Sequence, residues 1–215
     1  MRTKTNYIIG LIRGSLGSLG KLLADPFGMG LLTNLVDNSL KRALLKVRKK
    51  AFEKMKENDS YQQLGKNIII MKGAKPNETE LQTAEKLAKT DEFYIIFPND
   101  GQIEEIKKLT NESGKKKNDL YLVDKITYRT MSIDIKTCGN PSQETIIAHL
   151  SNGVNQAPNL ILDITGKISK VNLIKGLRHG WSNNMKIVLL NYHGQWYLLN
   201  RERVYEKEWL EKMLR

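Results

Sequence analysis

From about residue 74 the apolar residues switch repeatedly between a helical and a strand period. In "KPNETELQTAEKLAKTDE", Leu81, Ala84, Leu87 and Ala88 recur at helical spacing behind Pro76 and the N-cap candidate Asn77. "FYIIFP" reads as a short apolar strand closed by Pro98, and "GQIEEIKKLTNESGKKKN" as a short helix or loop with a Lys-rich turn. "DLYLVDKI" and "TYRTMSIDIKT" read as consecutive strands of a hairpin or meander. "SQETIIAHLSNGVNQA" is a helix with Ile146, Ile147, Leu150 and Val154 inward, "NLILDIT" a strand buried on both faces, and "SKVNLIKGLRHGW" a helix. "MKIVLLNYHGQWYLLN" gives two strands about a turn at His193–Gly194, and "RERVYEKEWLEKMLR" a terminal helix. The order αβββαβ, then αββα, predicts an α/β (mixed α+β) domain over residues 74–215, with a mixed sheet and helices on its faces.

The texture before residue 67 differs. Residues 1–37 are rich in Gly and Leu, "ADPFG" is a turn signal, and residues 38–57 read as a helix. On that helix Leu40, Ala43, Leu44, Val47, Ala51 and Met55 form an apolar stripe flanked by basic residues. Residues 1–66 are therefore expected to form a separate basic, helical N-terminal region.

Charge sharpens that division. The chain carries +12 overall, and residues 1–66 hold 13 Lys/Arg against 5 Asp/Glu. Two thirds of the excess thus sits in less than a third of the chain. Such a segment favours a polyanion, either nucleic acid or an anionic membrane surface met by residues 1–57. A solvated basic helix is the competing reading. There is no 18-residue apolar run, so no membrane-spanning helix is expected. "MRTKTNYIIGLIRGSLG" imitates a signal peptide, but Arg13 interrupts its apolar stretch, and the expectation is that it is not cleaved. The single cysteine, Cys138, excludes an intrachain disulfide and a multi-cysteine zinc site, in keeping with a reducing, cytoplasmic setting.

Candidate chemistry centres on "SIDIK". Asp134 and Lys136 share one face of their strand, opposite Met131, Ile133 and Ile135. Phosphodiester hydrolysis needs charge relief on the phosphate and an activated water. Mg²⁺ prefers one or two carboxylates plus water, and a neighbouring lysine orients the water or stabilises the developing charge. Asp119, opening the preceding strand, is the candidate second metal ligand beside Asp134. Glu80 in the first helix is a third acidic group, and Gln156 at the end of the second helix is placed to hold water or phosphate. Each has a bland alternative. Glu80 also completes a capping box with Asn77, Asp119 also follows a Lys-rich turn, and Gln156 is also a polar helix-end residue. A second acid-x-Lys, Glu105 and Lys107, falls in a segment read as helical.

Glu80, Asp119, Asp134 with Lys136, and Gln156, in that order and on those elements, resemble the PD-(D/E)xK nuclease superfamily. The resemblance implies a restriction-endonuclease-like αβββαβ core and divalent-metal-assisted hydrolysis. Asn118 stands where the family carries proline. Over residues 74 to about 199, "NETELQTAEKLAK", "FYIIFP", "NDLYLVD", "SIDIKT" and "NQAPNLILDIT" are similar to C-terminal nuclease domains of polymorphic and contact-dependent growth-inhibition toxins. Related domains end some phage head-morphogenesis proteins. That resemblance implies RNA, tRNA above all, as substrate and a small acidic immunity protein as partner. Some relatives belong to a barnase/EndoU/RelE-like group in which no metal is required.

Three alternatives follow. One is a metal-independent ribonuclease using His149, the histidine placed best for the cleft, since it lies on the helix that leads to Gln156. Another is a non-catalytic nucleic-acid-binding or phage-assembly protein, for which DNA is as good a partner as RNA. The third is a membrane-surface protein driven by residues 1–57. Lys115, Lys116 and Lys117 form a candidate basic loop for a phosphate backbone, with a solvated turn as the plain reading. Trp181, Trp196 and Trp209 read as core residues rather than base-stacking platforms.

Overall fold

A computed structural model describes residues 38–57, 61–99 and 118–214. The chain divides into two units, residues 1–44 and residues 45–215, and the sheet belongs to the second. The elements in chain order are α1 (Asn38–Glu57), β1 (Tyr61–Leu64), β2 (Ile68–Met71), α2 (Glu78–Ala88), β3 (Phe93–Phe97), β4 (Leu120–Asp124) and β5 (Thr130–Cys138). Then come α3 (Gln143–Val154), β6 (Asn159–Ile164), α4 (Lys170–Gly180), β7 (Ile187–Tyr192), β8 (Gln195–Leu199), α5 (Arg201–Tyr205) and α6 (Lys207–Met213).

All eight strands form one mixed sheet in sequential order. β3, β4 and β5 are an antiparallel meander, as the two adjacent strand patterns predicted. Helix α3 then carries the chain to β6, parallel to β5, and α4 carries it to β7, parallel to β6. β8 returns antiparallel through His193 (φ 53°) and Gly194 (φ 79°), two consecutive positive-φ residues of the kind a tight hairpin requires. The mixed α/β fold read from the alternating periods is present.

Strand alternation sorts the core into layers. Leu120, Leu122, Ile133 and Ile135 face α2 and pack with its Ala84 and Leu87. Cys138, Leu160, Leu162 and Leu190 face the other way, onto Ile146 and Leu150 of α3 and Leu173 and Leu177 of α4. β6 and β7 are buried along their whole length, which explains their unbroken apolar runs. Leu120, Leu122 and Ile133 are fully buried, each contributing about 1.5–3 kcal/mol by removal from water.

Three expectations change. The sheet begins earlier than residue 74: Tyr61–Leu64, inside the stretch expected to be helical, pairs antiparallel with Ile68–Met71. Four residues are too few to show a period, and "IIIM" in β2 is apolar at every position. Helix α1 spans the expected residues, but its expected stripe is only partly covered, with Leu44 and Ala51 half-buried. Val47 is 65% exposed, whereas Phe52 is buried and stacks on Tyr94 with ring centroids 4.9 Å apart. One aromatic ring buries more area than the small aliphatic residues of the stripe, so it decides which face packs. The terminal helix is broken at Glu206 (ψ 98°) into α5 and α6. Val204 and Leu210 are both fully buried, yet six residues apart they lie on different sides of a continuous helix. The break lets both reach the core.

The expected helix or loop at residues 101–117, with Lys107 and Lys115–Lys117, lies outside the described residues. Among those described, no helix is long and apolar enough to cross a membrane.

Candidate active site

The αβββαβ segment brings most of the expected residues together on β4 and β5. Leu120 pairs with Ile133, so Asp119 sits one step beyond the last paired residue of β4, alongside Asp134. The Asp119 N–H donates to the Ile133 carbonyl at 3.0 Å. Its carboxylate Oδ2 accepts from the Ile135 N–H at 2.7 Å, fixing the side chain across the strand pair. Asp119 is therefore more than a turn residue: it is tied to the strand that carries Asp134 and Lys136.

Asp134 has no exposed surface. The Lys136 Nζ lies 2.6 Å from its Oδ2, an ion pair whose lysine side chain is 18% exposed. The ion pair partners Oδ2, whereas Oδ1 is buried without a hydrogen-bond partner. Buried polar oxygens are nearly always hydrogen-bonded, so an unpartnered carboxylate oxygen is costly and asks for a cause. Burial pushes the Asp134 carboxyl up to about 6. Lys136 pulls against that shift, and the charge of Asp119 adds to it.

Helix α3 closes over this carboxylate because residue 153 is glycine. A Cβ there would stand 2.9 Å from Asp134 Oδ2 and 1.8 Å from Leu160 Cδ2, a separation no real side chain tolerates. His149, one turn earlier on α3, is half-buried. Its imidazolium is disfavoured, first by burial and then by the charge of Lys136, which leaves a neutral ring facing the lysine's field.

Glu80 fills the capping role foreseen for it. It completes the capping box: its N–H donates to Asn77 Oδ1 at 2.9 Å, and its Oε2 accepts from the Asn77 N–H at 3.0 Å. Its Oε1 accepts from Asn77 Nδ2 at 2.7 Å. Its carboxyl is also raised, chiefly by burial, with Asn77 lowering it, Asp119 raising it and Lys136 lowering it. Helix α2 thus presents Glu80 to the same electrostatic neighbourhood from its first turn.

Gln156 is not brought in. It lies beyond Asn155, the C-cap of α3, where its N–H donates to the Gly153 carbonyl at 2.8 Å. Its side chain makes no hydrogen bond among the described residues. Lys115, Lys116 and Lys117 fall outside those residues. His179 is exposed beside Gln143, and His193 occupies the β7–β8 turn. Trp181 is core, as expected, and Trp209 packs against the same cluster.

Among the described residues no three His, Cys, Asp or Glu side chains gather as a cage for a metal. Asp119 and Asp134 nonetheless suit a hard cation that keeps most of its water, because two adjacent carboxylates suffice for Mg²⁺. The unpartnered Oδ1 of Asp134 is the structural sign in favour. The Lys136 ammonium would share Oδ2 with such an ion.

A second polar cluster went unforeseen. On the α2 side of the sheet, Asp163 of β6 is fully buried. Its Oδ2 accepts from Lys86 Nζ at 2.7 Å and from Thr83 Oγ1 at 3.1 Å, and its Oδ1 from Asn191 Nδ2 at 2.8 Å. The only trace in the sequence is the lone acid within "NLILDIT", a strand otherwise apolar from Leu160 to Ile164.

Comparison with protein-family models, with curated proteins and with solved structures gave no match to this chain.

Proposed function

We propose that the protein is a nuclease that hydrolyses phosphodiester bonds, with RNA of the tRNA type as its substrate. The observation that carries this reading is the fully buried carboxylate of Asp134, paired with Lys136 and set alongside Asp119 of the adjacent strand. Keeping such a group ionised opposes stability, and functional sites are where that opposition recurs. The helix–meander–helix–strand order of the PD-(D/E)xK resemblance agrees with the observed element order.

In this reading Asp119 and Asp134 would hold a magnesium ion, which would polarise the phosphate and lower the pKa of bound water. Lys136 orients the attacking water or offsets the charge that develops on the phosphate. Glu80 adds a negative charge to the neighbourhood of Asp119 and Lys136. The net charge of +12 favours a polyanionic substrate and, if the protein is a toxin, an acidic immunity partner.

A metal-independent ribonuclease is the second reading. It is favoured by His149, whose neutral ring beside Lys136 suits a general base. Incubation with total tRNA, single-stranded RNA and plasmid DNA, in Mg²⁺ and then in EDTA, separates the two. Cleavage that requires Mg²⁺ and is lost in Asp134→Ala supports the metal site. Cleavage that survives EDTA and Asp134→Ala but fails in His149→Ala supports the second reading.

A further inference from the structure

The Asp163 cluster borders a cavity of about 620 Å³ between the C-terminal half of α2 and strands β6 to β8. Lys86, Lys89, Asp163, Thr165, Asn191 and Trp196 line it. Its volume lies in the range of small-molecule sites. Asp163 has no exposed surface and accepts three hydrogen bonds from its neighbours, so it acts as an anchor rather than a ligand. It fixes the Lys86 ammonium at the cavity wall with one of three protons committed, and it turns the Asn191 amide so that Nδ2 faces inward.

That orientation leaves Asn191 Oδ1 buried and without a hydrogen-bond partner, in a residue only 5% exposed. Lys89 lies exposed at the rim and forms no ion pair with the described residues, so the cavity carries one uncompensated positive charge. Trp196, half-buried, supplies an aromatic wall, and Ile164 adds apolar lining. The matching ligand needs an anionic group for Lys86 and Lys89 and a planar body for Trp196. A bare phosphate offers only the first of these.

We infer that this cavity is a nucleotide subsite, with the phosphate on Lys86 and Lys89 and the base against Trp196. It deepens the nuclease reading by giving the nucleic acid a second hold, one to three turns along α2 from Glu80. Base stacking on an aromatic side chain is how sequence-tolerant sites grip single strands. The same chemistry fits a free nucleotide or one unit of a strand.

The test uses the full chain and follows tryptophan fluorescence. 5′-Mononucleotides, ribose 5-phosphate and a hexaribonucleotide are titrated in EDTA, the last into the Asp134→Asn protein so that it is not consumed. Saturable quenching is expected. Trp196→Phe should abolish it, Lys89→Glu should weaken it at least tenfold, and ribose 5-phosphate, which has no base, should bind at least tenfold more weakly. Quenching by the hexanucleotide alone assigns the subsite to a strand, and quenching by mononucleotides alone assigns it to a free nucleotide. The absence of saturable quenching by any nucleotide overturns the inference, and so does quenching that survives both substitutions. A wild-type protein that binds nucleotide yet cleaves no nucleic acid leaves this subsite standing and removes the nuclease reading instead.

Discussion

Asp134→Asn should make the folded protein more stable while abolishing activity. The native carboxyl is pushed from 3.8 up to about 6, mainly by burial. Between pH 4 and 6 the unfolded chain has lost this proton and the folded chain still keeps it. Folding therefore takes up a proton, and stability falls as pH rises through that window. At 1.36 kcal/mol per pH unit the full loss is about 3 kcal/mol, complete above pH 6 and absent below pH 4. Asparagine keeps the shape of the protonated acid: its Oδ1 can face Lys136, and its amide can donate toward Asp119. At pH 8 the variant should therefore be more stable by about 2–3 kcal/mol, or roughly 5–10 °C in Tm for a chain of this size. Thermal unfolding in EDTA, followed by circular dichroism from pH 4 to 8, reads both the gain and its pH dependence. The wild type and the variant should converge near pH 4. A variant less stable than wild type at pH 8, or a gain that does not change with pH, would refute the claim that Asp134 is held ionised against its burial.

Gly153→Ala should destabilise the fold by about 1–3 kcal/mol and reduce cleavage, since its Cβ would meet Leu160 at 1.8 Å and Asp134 at 2.9 Å; urea unfolding and the RNA assay check both effects. Lys86→Met should cost about 1–3 kcal/mol by removing one of three partners from the buried Asp163, again read by urea unfolding. Asn77→Ala should cost about 1 kcal/mol through the lost cap, and Glu80→Ala should lose activity out of proportion to its stability change. If the two variants lose activity in step with stability, Glu80 is only a cap.

The helices and central strands were legible because each buries one face, and the period of that face is written in the chain. β5 is the plainest case. Ile133 and Ile135 lie on the α2 side, and Asp134 and Lys136 lie on the other, as the alternation required. What alternation could not show is the depth of Asp134, because Gly153 on α3 decides how closely the helix settles on it. Strand β1 was hidden by its length, and the buried face of α1 by the weight of a single phenylalanine. Gln156 lies one residue past the C-cap of α3, where its backbone closes the helix end. The Asp163 cluster draws on α2, β6 and β7, residues 83 to 191, and no local pattern joins partners that far apart.

The central claim is that Asp119, Asp134 and Lys136 form a phosphodiesterase site, and one measurement bears on it most directly. Total tRNA is incubated with wild type, Asp119→Asn, Asp134→Asn and Lys136→Met, with Mg²⁺ and with EDTA, once circular dichroism has shown each variant folded. Cleavage by wild type in Mg²⁺, with none in EDTA and a loss of at least a hundredfold in each variant, is the predicted result. Undiminished cleavage by folded Asp134→Asn, or no cleavage of RNA or DNA by wild type under any of these conditions, would contradict it.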